Sequence, residues 1–472
     1  YLLTASLRAD GSSKFGDNKW GYFPSTAFAW RLSEEPFIKR LNVFSNLKAR
    51  IGYGLTGNQS IGNYKSLQTY GLSKVAFGSG FFEGIKQNNV GNTDLSWETT
   101  RQLNLGMDFG FFNNRLTLTA DYYYKVTSDL LLDVPTRPSS GYSSIMQNIG
   151  KVRNVGYELT LHATLMDGRR NNSGLSWDFD LNFAQNKNTV LSLGTTNEFF
   201  RTVRYKNAAK DQVIVRVGES LGTWFGYQTD GIFQYGDPDL DRFTSVQGQV
   251  PAAGDWKYVD QNNDNKIDES DRVVLGCSAP KFYGGFSTSL RYKRFELRAA
   301  FEYSYGSKIF NANRIETDDP NSQYNKSTRL LNCWVGPEWE LDGTGNLIEN
   351  PVRTAEQPGP YLVKNLGNPS NTQPRAGYTP THMLQSNYIE DGSYLRLSNI
   401  VFLWSPKFAS KLGLRNLKFS LSANNLFLWT KYTGSDPEVN IDPNGYGSMI
   451  AGYDYDAYPR SRMFTFGVNF SF

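Results

Sequence analysis

The feature that most constrains this chain is an alternation of apolar and polar residues with period two, repeated from end to end. Over 175–183, Leu175, Trp177, Phe179, Leu181 and Phe183 share one side, and Ser176, Asp178, Asp180 and Asn182 the other. Leu103, Leu105, Met107, Phe109 and Phe111 alternate in the same way with Asn104, Gly106, Asp108 and Gly110. So do Leu116, Leu118, Ala120 and Tyr122 with Thr117, Thr119 and Asp121, and Leu47, Ala49, Ile51 and Tyr53 with Lys48, Arg50 and Gly52. Successive side chains of an extended strand point to opposite faces, so this pattern builds two-faced sheets. A soluble sandwich also alternates, with its apolar faces in a shared core. Two properties favour a membrane barrel. The polar face is rich in Gly, Ser, Asn and Thr, as suits a wet lumen. The strands run to roughly 10–15 residues, enough to cross a bilayer at a tilt.

The pattern predicts twelve strands: 1–8, 20–32, 46–56, 98–111, 115–126, 151–165, 175–187, 282–292, 295–305, 390–404, 417–430 and 459–472. In an up-and-down chain the long links 57–97, 127–150, 188–281, 306–389 and 431–458 fall on one side. The short links 112–114, 166–174, 293–294 and 405–416 fall on the other. This is the asymmetry of an outer-membrane barrel, with long extracellular loops and short periplasmic turns. Link 33–45, opening Ser33-Glu34-Glu35-Pro36, reads as a capped helical turn. Link 188–281 is too long for plain loop. Parity allows it an even number of extra strands, with 211–217 and 221–228 as candidates.

Composition closes off other classes. Across 472 residues no apolar run nears the ~20 that a membrane helix needs. Aromatics make up 15%, enough apolar surface to argue against disorder. The net charge of +4 comes with no Lys/Arg block, so no nucleic-acid partner is expected. The two cysteines, Cys277 and Cys333, fit a chain outside the cytoplasm and leave their pairing open. With His162 and His382 as the only histidines, and no nucleophile elbow, HExxH or phosphate-cradling Gly loop, no enzyme is expected. The chain opens at Tyr1, already in mid-strand, so a piece of a longer protein is expected.

The residues Tyr1 to Gly16 (YLLTASLRADGSSKFG), Trp20 to Ser25 (WGYFPS) and Tyr53 to Gln59 (YGLTGNQ) resemble the SusC/RagA family of TonB-dependent transporters. So do Gly392 to Leu397 (GSYLRL), Asn424 to Phe427 (NNLF), Asp436 to Val439 (DPEV) and the closing strand Phe464 to Phe472. The resemblance covers the whole chain. It implies an all-β, transmembrane antiparallel barrel in the bacterial outer membrane. The family has 22 strands, about 12–14 of which would lie in this chain, and residues 1–472 would be the C-terminal portion. The plug and TonB-contacting segment would lie upstream. It further implies active import of oligosaccharides or oligopeptides, with a SusD-like surface lipoprotein as lid, the TonB complex as energy source and the lipid bilayer as solvent. The alternatives are a passive porin-like channel or a surface binding protein.

One loop could hold a metal. Asp260, Asn262, Asp264, Lys266 (through its carbonyl), Asp268 and Asp271 carry oxygens at the spacing of an EF-hand-like calcium loop. Position six is Asn265 where Gly is usual, and position twelve is Asp rather than Glu. The choice is between a structural Ca²⁺ and a solvated Asx-rich turn. The family this chain resembles often carries a similar acidic loop here. Loop aromatics could stack on a sugar or peptide: Trp334, Trp339, Tyr361 and Tyr378 in one link, and Tyr432, Tyr446, Tyr453, Tyr455 and Tyr458 in another. Their alternative is packing among themselves or against the lid. Trp20 and Trp429, near strand ends, read as interface-belt residues. Asp436, Glu438, Asp442, Asp454 and Asp456 read as a solvated acidic loop face. His162 is expected to hydrogen-bond on the lumen side.

Overall fold

The computed structural model describes residues 1–142, 144–168, 174–205, 208–234, 237–246, 248–319, 325–334, 370–375, 384–407, 414, 417–439 and 450–471. Twelve strands form one antiparallel sheet in chain order. They are β1 (Leu2–Gly11), β2 (Trp20–Arg31), β3 (Phe44–Asn58), β4 (Glu98–Phe111), β5 (Leu116–Pro135) and β6 (Ser144–Met166), followed by β7 (Leu175–Leu193), β8 (Phe282–Tyr292), β9 (Phe295–Tyr305), β10 (Tyr394–Trp404), β11 (Lys418–Thr430) and β12 (Met463–Asn469). Every expected strand is present. The sheet is open, with β1 and β12 each paired on one side only.

Register keeps the two faces apart. Leu105 pairs with Ile51 on β3 and Tyr122 on β5, and Tyr122 in turn with Tyr157 on β6. This apolar face is not covered by a second sheet: Leu105 is 40% exposed, Tyr157 52% and Phe464 68%. A barrel wall facing lipid requires that exposure; a sandwich core forbids it. Trp20 and Trp429 are also exposed, at strand ends next to links 12–19 and 431–458, where belt residues sit. On the other face Tyr123 lies over Gly156, directly opposite it in register, and a side chain at 156 would collide with the ring.

Three departures from the sequence reading have physical causes. β5 and β6 continue past the membrane as a long hairpin, so link 127–150 shrinks to 136–143. The ladder shifts register between Thr127 and Leu130, where Asp129 adopts φ 59°, and this breaks the alternation before Leu130–Val134 resumes pairing. β10 starts at Tyr394 because Ile389–Asp391 peels away to pair with Lys308–Asn311. β12 is confined to Met463–Asn469, shorter at both ends than 459–472. The turn at 32–39 is helical as expected, with Pro36 at the first helical position, but no side chain caps it. Glu35 instead accepts from the Trp30 indole and the Tyr1 hydroxyl, both at 3.0 Å.

The long links fold. In 188–281, Glu198–Tyr205, Ala208–Arg216, Thr223–Tyr227 and Arg272–Cys277 make a four-stranded sheet separate from the wall. Two of these strands correspond to the candidates 211–217 and 221–228. One core draws on three links at once: Val213 and Trp224 from the first, Phe310, Ile315 and Tyr388 from the second, Ile450 and Tyr453 from the third. The Trp224 indole closes this core by donating to the Lys308 carbonyl at 3.1 Å. Among the described residues, links 188–281, 306–389 and 431–458 thus share one packed core.

Candidate functional site

The residues that resemble the family motifs interlock. Phe15, from the first motif, and Phe23, from the second, pack on Trp97 with ring centroids 5.5 and 5.6 Å apart. Gly21 and Gly57 lie so close to the Phe23 ring that any side chain at either would overlap it. Trp97 donates to the Lys19 carbonyl at 3.1 Å, tying link 12–19 to link 59–97. These motifs therefore fasten two outer loops to the rim.

The acidic face expected at 431–458 is instead paired. Arg396, on the polar side of β10, places Nη2 2.6 Å from Asp436 Oδ1 and 3.0 Å from Glu438 Oε2. Arg460 reaches Glu438 at 2.9 Å. Asp436 is 5% exposed. The reason is local: Arg396 is almost fully buried, and two carboxylates two residues apart balance its charge together. Deeper in the same body Tyr432 donates to Asp454, and burial together with this carboxylate pushes the Tyr432 hydroxyl far above its ordinary range. Asp456 stays on the surface and Asp442 lies outside the described residues.

The loop 260–271 closes on itself. The Asp260 carboxylate accepts from the N–H groups of Asn263, Asp264 and Asn265 at 2.8, 3.3 and 3.0 Å. Asn262 accepts from Asp264 N at 3.1 Å, and Asp264 from Lys266 N at 2.8 Å. Asn263 and Asn265 take φ 59° and 64°, which Asn tolerates better than most residues. Asp271 is buried, with one oxygen on Gln261 N and the other on Asp268 N. Asp268 accepts from the Ser270 hydroxyl and N–H, and these bonds hold its carboxyl below the usual range. The backbone thus has the shape of a cation loop, while its carboxylates are spent on amides. Among the described residues no three acidic, His or Cys groups converge at metal spacing.

The aromatic candidates separate. Trp334 is buried against Phe233 and Trp256, and its indole donates to Gln234 Oε1 at 3.0 Å. Tyr432 and Tyr453 are 5% and 0% exposed. These three serve as core, which leaves no ring face for a ligand. Tyr455 stacks on Tyr453 at 6.3 Å, and Tyr458 is 93% exposed. Trp339, Tyr361, Tyr378 and Tyr446 lie outside the described residues, as does His382.

The polar face of the wall carries its own charges. Arg50 bridges Asp108 at 2.9 Å and Asp121 at 3.0 Å. His162 meets Asp180 at 2.7 Å, as its parity predicts, and Thr164 donates to Asp178 at 2.9 Å. Cys277 and Cys333 are both free thiols, and burial pushes the Cys333 thiol up to about 11.

A lipid-facing apolar surface, a charged polar face and one-sided folded loops define an outer-membrane β-barrel. Residues 1–302 match the family described as TonB dependent receptor-like, beta-barrel, and the chain belongs to that family. It is 32% identical over its whole length to TonB-dependent receptor P3 of Formosa agariphila, covering 44% of that protein. It is 27% identical to TonB-dependent receptor SusC of Bacteroides thetaiotaomicron, again over its whole length and 42% of the relative. Among solved structures, the RagAB peptide transporter superposes with a TM-score of 0.74 at 26% identity, over 100% of this chain and 46% of the other. The chain thus spans somewhat less than half the length of these relatives. The family places it in the bacterial outer membrane.

Proposed function

We propose that this chain is the C-terminal barrel portion of a SusC/RagA-type, TonB-dependent importer. It takes up oligosaccharides or oligopeptides together with a SusD-like surface lipoprotein acting as lid. The observation that carries this reading is the pairing of a polar, charge-lined inner face with a large folded body above it. A passive pore needs only the first; a carrier that must hold its cargo before release needs both. The charges on Arg50, Asp108, Asp121, His162 and Asp180 give a plug segment or a passing ligand polar partners along the wall. In this reading the chain moves its cargo chemically unchanged. The test is uptake by cells carrying the whole protein, with and without TonB and with the proton gradient collapsed. Loss of uptake in both conditions supports import. Undiminished uptake, with a steady single conductance from the purified protein, assigns a passive channel.

For the loop 260–271 we propose a structural Ca²⁺, held by Asp260, Asn262, Asp264, Asp268 and the Lys266 carbonyl, with Asp271 completing the set. Support comes from the left-handed turns at Asn263 and Asn265 and from the pairing of Lys266–Ile267 with Ser245–Val246. Binding would require these carboxylates to exchange amide hydrogen bonds for the ion. Hydrogen exchange with and without EDTA decides: protection lost across 255–275 supports the ion, and an unchanged pattern removes it.

A further inference from the structure

A polar cavity of ≈ 470 Å³ opens in the outer body, where links 188–281 and 306–389 meet. That is within the usual size range of small-ligand sites. Among the described residues its wall holds Arg314, Arg329, Asn332, Asn371, Gln373 and Asn387, with Gly231, two threonines and Trp256 beside them. Among the described residues no carboxylate lines it.

The hydrogen-bonding inventory of that wall is lopsided. Arg314 is held from behind: Nε lies 2.9 Å from Asp318 Oδ2, and Nη1 3.1 Å from Glu390 Oε1. Asp318, almost wholly buried, is shared with Arg329, which reaches it through Nη1 alone, at 3.4 Å to each oxygen. Among the described residues the Nε and Nη2 of Arg329 meet no acceptor. Asn371 spends its side-chain oxygen on the Ile232 N–H at 2.9 Å, which leaves its NH₂ free. Gly231 adopts φ +86°, and any side chain there would strike Asn371, so the amide is held in place. The cavity therefore presents fixed donors, one of them a half-used guanidinium, beside two amide oxygens, Gln373 Oε1 and Asn387 Oδ1, that no hydrogen bond engages. Such a surface complements a ligand that joins a negatively charged acceptor group to hydroxyl or N–H donors.

We propose that this cavity is a recognition subsite for a carboxylate borne by the cargo: a uronate ring of an oligosaccharide or the C-terminus of a peptide. Arg329 supplies the charge and the paired donors. Asn371 adds a second, and Arg314, held still by Asp318 and Glu390, takes up much of the Asp318 charge that Arg329 would otherwise face alone. The proposal deepens the import reading and rests on it for the cargo's route, not for the binding itself.

The test is calorimetry on the whole purified protein, with any partner that copurifies. The probes are digalacturonate and trialanine, each beside its neutral counterpart, the methyl ester and the C-terminal amide. The expected result is that at least one acid binds, and that its neutral counterpart binds tenfold or more weaker. Which acid binds identifies the source of the carboxylate. Arg329→Gln should weaken the acid tenfold or more. Asn371→Asp should do so too, since it keeps the acceptor for Ile232 and turns the free donor into a repelling oxygen. Heat-modifiable migration and an unchanged melting temperature establish that both variants fold. The proposal is overturned if acid and neutral forms bind alike, if both variants bind as the parent does, or if neither acid binds at millimolar concentration. Acid binding that depends on Arg329, in a protein whose uptake needs no TonB, would keep the subsite and remove the import reading. TonB-dependent uptake without such binding would do the reverse.

Discussion

Arg396 and Asp436 stand 2.6 Å apart, both buried, although 40 residues separate them in the chain. One belongs to the GSYLRL segment of β10 and the other to the DPEV segment of the last long loop. Two segments that look like independent signatures are halves of one contact, which folds the loop inward over the polar face. Breaking a buried pair from one side leaves an uncompensated charge and costs about 3–5 kcal/mol. Arg396→Leu should therefore release the 431–439 segment. Adding Asp436→Asn should restore much of the protection, because the buried Asp436 charge is gone and Glu438 keeps Arg460. Hydrogen exchange of that segment measures both; equal release in single and double variants would contradict the pairing.

The wall makes a prediction about neighbours. Leu105 faces lipid and Asn104 faces the lumen. Leu105→Arg should cost about 2–4 kcal/mol if it lies near the bilayer midplane, and Asn104→Arg far less. Folding into lipid vesicles, followed by gel migration without heating, compares the two. Equal loss would mean that the faces are wrongly assigned.

Cys333 offers a chemical probe of the outer body. With its thiol at about 11, almost none is thiolate at pH 8. Alkylation by iodoacetamide should run about a hundredfold slower than for an ordinary thiol near 8.5. Urea sufficient to open the body should abolish the difference. A native rate matching the unfolded one would show that Cys333 is not enclosed.

Acid should loosen the 237–271 region before the wall. Hydrogen bonds from Ser270 hold Asp268 below its ordinary range, and the Lys257 ammonium does the same for Asp239. A depressed carboxylate stabilises the fold above its unfolded value and loses that contribution as pH falls through the folded one. Protection should hold from neutrality down to about pH 4, and fall below it. Proteolysis with an acid-active protease reads this out. Loosening already between pH 7 and 5 would point to other groups.

The wall was legible because alternation is a local property: each strand announces its faces within ten residues. The hairpin extension at Leu130–Val134 was not, because a bulge and a left-handed Asp129 reverse the parity just before it. Of the outer body only the strands near 211–217 and 221–228 were legible. Its strands are short, and their burial arises only when Trp224, Phe310 and Tyr453 meet from three distant links. The same non-locality turned Asp436 and Glu438 from an apparent solvent face into a paired one, since their partner lies on another strand. At 260–271 the turn was readable from Asx spacing alone, whereas the capture of its carboxylates by backbone amides was not. The cavity around Arg329 left no sequence signal, since its donors come from unrelated stretches of chain.

The shared core of the three long links has a consequence for how such proteins diversify. A loop that packs on its own can be traded between relatives one at a time. Here Trp224, Phe310 and Tyr453 hold one another, so a transplanted link would arrive among the wrong neighbours and unsettle the two it left in place. Grafts that carry all three together should keep their shape, and changes in these links should travel through this lineage as sets rather than singly.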